Sequence, residues 1–154
     1  MKIVPITLAE KPALLREMQD YIREMSAFDP TIEAVDGVYE YPHLDAYWSE
    51  DTRWPFWVAA DGERAGFALL RQTEEGSMEM AEFYVRPVYR RSGIGMSFAR
   101  NLIARYSGHW IISEYKASAG AIAFWRRVIE KRDYSEREYI SDHGNLRIEQ
   151  RFVV

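Results

Sequence analysis

The stretch from Met78 to Tyr106 limits the fold more than any other, because a strand, a stop, a glycine loop and a helix follow one another without a gap. Met78 to Val85 alternates polar and apolar side chains and ends in aromatic and β-branched residues, the pattern of a half-buried strand. Arg86-Pro87 stops it, since proline has no N–H for a ladder and restricts the residue before it. Gly93 and Gly95 then follow Arg90, Arg91 and Ser92. Met96, Phe98, Ala99, Leu102, Ile103 and Tyr106 recur at helical spacing. A helix start leaves unpartnered N–H groups and about half a positive charge, and glycines let a ligand approach where no Cβ stands, so this junction suits a bound phosphate. A glycine turn between strand and helix is also an ordinary connection, and Gly-x-Gly alone does not separate the two readings.

The flanking chain supplies a sheet for this helix. Lys2 to Thr7 predicts a short strand, with Pro5 marking a sheet edge. Thr7 and Glu10 have capping-box spacing, and Leu14, Leu15, Met18, Tyr21, Ile22 and Met25 form one helical stripe that Phe28-Asp29-Pro30 ends. Residues 29–55 are irregular and crowded with acids and aromatics, with a short helix expected from Leu44 to Glu50; such a loop is functional or mobile. Pro55–Ala60 and Arg64–Arg71 read as a hairpin turning at Asp61-Gly62, and the strand at Met78 extends it into an antiparallel meander. After Ser107-Gly108, His109 to Tyr115 is a dense apolar strand, so strand, helix and strand predict a right-handed parallel crossover. Ser118 caps a second helix holding Ala121, Ile122, Phe124, Trp125 and Val128. Asp133–Ile140 and Leu146–Val154 close the chain as strands around His143-Gly144-Asn145. The expected fold is a single α/β (α+β) domain over residues 1–154, with a mixed, mostly antiparallel sheet of about six or seven strands and about three or four helices.

Composition removes several classes. With no cysteine there is no disulfide, no thiol nucleophile and no thiolate zinc site, and no metal site is expected. No apolar run approaches the roughly 18 residues of a membrane span, and Met1 to Pro5 lacks the form of a signal peptide, so a cytoplasmic protein without a membrane partner is expected. A net charge of −4 argues against a nucleic-acid partner. Charge is unevenly spread: Arg86 to Arg132 holds ten Lys or Arg against Glu114 and Glu130, a local +8 that leaves −12 elsewhere. That division suits an anionic cofactor on one side and a cationic acceptor on the other, or merely a solvated basic helix face.

Val85-x-Pro87-x-Tyr89-Arg90-x-x-Gly93-x-Gly95 resembles the acyl-CoA loop of the GNAT N-acetyltransferase family, and Ser118-x-x-Ala121-x-x-Phe124-Trp125 resembles its second signature, where Asn, Ala, Phe and Tyr are usual. A looser pattern, Tyr39-Glu40-Tyr41-Pro42 with Ala123 to Ile129, is similar to one bacterial group of that family. The resemblance implies an acetyl-CoA-dependent acyltransferase whose loop, Arg90, Arg91, Ser92, Gly93, Ile94, Gly95 and Met96, binds the cofactor, with the backbone N–H groups from about Arg91 to Gly95 cradling the pyrophosphate. It also implies that Phe83, Tyr84 and Val85 pair with the pantetheine arm, with Ser118, Phe124 and Trp125 beside it. The acceptor, a small-molecule or peptide amine, would lie under residues 29–55, where Tyr41, His43 and Trp48 are the substrate candidates. Glu82 is the first candidate base and Glu114 the second, each working on an ammonium of pKa near 10. Trp125 replaces the tyrosine that often protonates the thiolate, so Tyr115, Ser118 or solvent would substitute for it. Trp48 and Trp54, expected to be exposed, would line a cleft or form a homodimer interface. A non-catalytic acyl-CoA-binding module is the main rival reading. A dinucleotide fold is the lesser one, because Phe98 sits where its third glycine would be.

Overall fold

Thr7 closes the first helical turn: its N–H and Oγ1 both donate to Glu10 Oε1 at 3.0 Å, and the Glu10 N–H donates back to Thr7 O at 2.9 Å, the capping box that the spacing predicts. The computed structural model describes residues 1–154. A short 3-10 turn at Leu8–Glu10 leads into α1 (Lys11–Ser26), with proline in its first turn. Leu14, Met18, Tyr21 and Ile22 are its buried stripe, as the periodicity predicts. The helix expected near Leu44 is the single turn α2 (Ala46–Ser49).

Seven strands form one sheet in the order β1 (Lys2–Pro5), β2 (Arg53–Ala60), β3 (Glu63–Gln72), β4 (Met78–Val85), β5 (His109–Tyr115), β7 (Leu146–Val153) and β6 (Tyr134–Ile140). β1 lies at an edge, where Pro5 costs no ladder bond. All neighbours are antiparallel except β4 and β5, which are parallel and joined through α3 (Ile94–Ala104). α4 (Ala119–Val128) follows β5, with the Ser118 hydroxyl accepting from the Ala121 N–H at 3.4 Å as its cap. No helix is long and apolar enough to cross a membrane.

Each face of the sheet carries its own core. Phe98, Ala99, Leu102 and Ile103 of α3 and Trp125 and Val128 of α4 pack on one face, and the α1 stripe with Leu44 and Tyr47 packs on the other. A buried side chain of this size contributes roughly 1.5–3 kcal/mol and an exposed ion pair under about 1, so these two cores hold the helices in place. Trp48 and Trp54 belong to them, contrary to the expectation of exposure. The Trp48 indole packs against the α1-side core and donates to Ile6 O at 2.8 Å, and Trp54 lies on Tyr106 at 5.2 Å between ring centres.

Two departures from a regular sheet shape the molecule. β4 and β5 pair only at Met78↔Trp110 and Glu79↔Ile111, then part and leave a gap toward their C-terminal ends. In β4, Glu82 pairs with Leu69 and Met80 with Leu70, so Ala81 is an extra residue, a β-bulge. Met78 and Met80 therefore face α3 and α4, and beyond the bulge Phe83 does so too, while Glu82 and Tyr84 turn to the α1 side. Without the extra residue the two-residue alternation would send Glu82 into the α3-side core.

Candidate active site

The loop before α3 is fastened by its arginines and left open along its backbone. Arg90 Nε donates to Val85 O at 2.7 Å, its Nη2 reaches both oxygens of Glu24 at 2.8 and 2.9 Å, and the guanidinium lies over Tyr84. Arg86 is likewise joined to Glu17. These side chains tie the loop to the strand end and to α1. Arg91 (φ 60°) and Gly93 (φ 88°) turn the chain through the left-handed region, which costs little only at the glycine. No N–H from Arg91 to Met96 donates to an acceptor within the protein; the first bond at this helix start is Ser97 N–H to Gly93 O at 3.0 Å. Successive free N–H groups at a helix start form an anion-binding concavity. A Cβ at Gly95 would stand 3.5 Å from both Phe124 and Val85, so this turn of α3 lies directly over the strand end and α4.

The gap between β4 and β5 opens into a cleft of about 580 Å³. Toward α4 its wall is Phe83, Ser118, Ala121 and Trp125. The Phe83 ring meets Phe98, Phe124 and Trp125 at 5.0 to 5.6 Å, and Trp125 is only 7% exposed. Tyr84 instead points into the α1-side core against Tyr21 and Phe67, away from the gap.

Toward α1 the wall is polar. Glu82 Oε1 accepts from Tyr41 Oη at 3.1 Å and Oε2 accepts from Tyr21 Oη. Burial lifts the Glu82 pKa above the ordinary carboxylate value, against the pull of both tyrosines and of Arg147. Burial and the nearby Glu82 charge raise both tyrosine hydroxyls, which therefore stay protonated donors. Tyr115 Oη donates to Asp29 Oδ2 at 3.3 Å, with Phe28 stacked on the ring and the Arg147 guanidinium 4.3 Å from its centre. Asp29 is 3% exposed; burial would raise its pKa, but two hydrogen bonds from Thr31 help to bring it below the usual value.

Glu114 stands on the other side of β5, on the face of Trp110 and Ile112. It is 4% exposed, its Oε1 accepts from Gln150 Nε2 at 2.6 Å, and its Oε2 has no partner. Burial pushes its pKa up to about 7, with Glu136 adding to the rise and the Gln150 bond and Arg147 opposing it.

The cleft thus gathers Tyr41, Glu82, Phe83, Glu114, Tyr115, Ser118 and Trp125, while the loop residues do not line it and follow the parted end of β4 into α3, with Gly95 packed over Val85 and Phe124. His43 and Trp48 stand apart from it. His43 is exposed at a turn with φ 65°, its carbonyl capping the start of α2, and Trp48 is spent on holding the loop to Ile6. The sequence reading missed Tyr21, Asp29, Arg147 and Gln150 as lining or supporting groups. Tyr21 was hidden in a stripe read as core, and the others carry no local motif. No group of three or more His, Cys, Asp or Glu could hold a metal ion.

The sheet parts at its one parallel pair, beside a helix start with free N–H groups. Residues 16–129 match the Acetyltransferase (GNAT) family, and the chain belongs to it. A ribosomal-protein-alanine N-acetyltransferase from Brucella melitensis superimposes over 100% of both chains at 19% identity with a TM-score of 0.69. The ribosomal-protein-S18-alanine N-acetyltransferase of Escherichia coli matches 99% of this chain and 93% of its own at 16% identity and 0.63. A GNAT family acetyltransferase from Elizabethkingia anophelis with acetyl-CoA bound matches 99% and 97% at 14% and 0.63. At such identities the likeness speaks for the fold. A search of curated proteins by sequence finds no match.

Proposed function

We propose that this chain is an acetyl-CoA-dependent N-acetyltransferase that acetylates the amine of a small molecule or peptide by direct attack with both substrates bound. The observation that carries this is a pair of features flanking the parted end of β4: free N–H groups at the helix start that follows it, and the Glu82 carboxylate, held by two tyrosines, on the α1 wall of the cleft. The Elizabethkingia structure was solved with acetyl-CoA and a Bacillus subtilis acetyltransferase of the same fold with CoA, which supports that co-substrate here.

Bound acetyl-CoA supplies an activated carbonyl and a thiol leaving group. The chain's own residues supply the rest. Arg91 to Met96 offer N–H groups and a helix dipole to the pyrophosphate. The edge of β4 from Phe83 to Val85 has no β5 partner and is free to hold the extended arm, with Ser118, Phe124 and Trp125 beside it. Glu82 takes a proton from the incoming ammonium, directly or through one water, and its raised pKa makes it a stronger base than a solvated carboxylate. Glu114 holds a proton up to about neutral pH on the α4 face, where Trp125 has none to give, and is the carboxyl nearest in chemistry to a donor for the leaving thiolate. Tyr115, whose hydroxyl is bonded to Asp29, serves the acceptor wall.

Trp125 also favours a second reading, an acyl-CoA-binding module without turnover. Calorimetry with acetyl-CoA, CoA and NAD, followed by thiol release over a panel of amines, separates the two. Micromolar binding of acetyl-CoA and CoA but not NAD is expected, with turnover on at least one amine. Gly93→Val should weaken acetyl-CoA binding at least about tenfold, since a β-branched residue resists the left-handed conformation. Absence of acetyl-CoA binding rejects the proposal, and binding without turnover on any amine leaves only the module.

A further inference from the structure

Arg147 is the only lysine or arginine that lines the cleft, among the carboxylates of Asp29, Glu33, Glu40, Glu82 and Glu114, yet it pairs with none of them. Its neighbours on the sheet behave differently: Arg137 and Arg151 share Glu149, and Arg71 holds Glu79. Arg147 is held by neutral groups instead. Nε donates to Ser113 Oγ at 2.9 Å, Nη2 donates to Ser113 O at 3.1 Å, and the guanidinium stacks 4.3 Å from the Tyr115 ring centre. Those contacts fix the plane of the fork and use two of its five donors, leaving Nη1 free.

We propose that Arg147 binds a carboxylate on the acceptor, so that the amine acetylated in this cleft belongs to an amino acid or a molecule of similar size that carries a carboxylate. The inference rests on the N-acetyltransferase reading and names its substrate class. Arg147 pairs in register with Tyr115 on the sheet face toward α1, the face to which the bulge turns Glu82. The two walls of one cleft thus present a carboxylate for an ammonium and a preorganised guanidinium for an anion. Its charge already acts across the cleft, drawing down the pKa values of Glu82 and Tyr115 against the burial that raises them. A volume of about 580 Å³ that must also admit the acyl end of a cofactor suits an acceptor of amino-acid size. A planar fork with free donors matches a carboxylate in a way that an ammonium would not.

The test uses acceptor pairs that differ only in the carboxylate: phenylalanine with phenethylamine, and lysine with cadaverine. Thiol release is measured at saturating acetyl-CoA, and acetyl-CoA affinity is measured separately by calorimetry. The wild type should favour the carboxylate member of at least one pair by about a hundredfold in kcat/KM. Arg147→Met should remove most of that preference through KM, leaving acetyl-CoA affinity and melting temperature near wild type, and Arg147→Lys should restore only part of it. Equal use of both members of each pair, or a preference that survives Arg147→Met, overturns the inference while leaving the transferase reading intact. Binding of acetyl-CoA with no turnover of any amine overturns both.

Discussion

The two sides of the β4–β5 gap are built by different means. On the α3 side the unpartnered polar groups are backbone N–H groups in one short segment, Arg91 to Met96, and Arg90 and Arg86 beside them are occupied in fastening the loop. On the α1 side the polar groups are side chains from α1, the 29–41 segment, β4, β5 and β7, brought together only by the sheet. A site made of backbone depends on φ and on helix polarity, and tolerates most side chains. A site made of side chains depends on register, so the bulge at Ala81 decides which wall Glu82 joins.

The strongest challenge to this division is Glu82→Gln. If the α1 wall carries the proton transfer, kcat should fall by about 10²–10⁴ while acetyl-CoA affinity holds. Gly93→Val should do the opposite, weakening affinity while sparing kcat at saturation. Steady-state kinetics with calorimetry on both variants decides it, and a Glu82→Gln enzyme with wild-type kcat would end Glu82's claim as the base.

The same contrast explains how much of this molecule the sequence disclosed. The strands, the capping box at Thr7, the crossover through α3 and the Ser118 cap were legible, because period and cap chemistry act within a few residues. The glycine loop was legible for the same reason. The bulge was not, since Ala81 differs in no local way from any other strand residue, and neither was the Glu114–Gln150 contact between β5 and β7. His43 and Trp48 looked functional because histidine and tryptophan in an irregular loop attract that reading. The structure places His43 at an exposed turn and the Trp48 indole on Ile6 O, both outside the cleft.

Glu114 sharpens the comparison from the α4 side through stability. Its carboxyl titrates near 7 when folded against about 4.5 in the free group, so the folded state binds the extra proton between these values. That contribution is complete below about pH 4.5 and is lost as pH rises through 7, a loss of at most about 3 kcal/mol. Glu114→Gln has no such charge to bury. Its melting temperature should gain on the wild type as pH rises from about 4.5 to 7, by up to about 6–12 °C, and then run parallel. Melting curves at a series of pH values test this, and a gap that does not change with pH would place the Glu114 proton elsewhere.

The smallest expected effect is the most specific to the α1 wall. Burial raises the Glu82 pKa, and the Tyr41 hydroxyl, donating at 3.1 Å, partly offsets that rise by stabilising the ionised form. Tyr41→Phe removes the donor and should lift the Glu82 pKa further. Because a base works only when ionised, the acid limb of the kcat/KM profile should move to higher pH, with the plateau above it nearly unchanged. Tyr115→Phe is the control: its hydroxyl donates to Asp29 rather than Glu82, so the limb should stay where it is. A limb that moves in the Tyr115 variant and not in the Tyr41 variant would assign the titrating base to the Asp29 end of the cleft and remove Glu82 from the reaction.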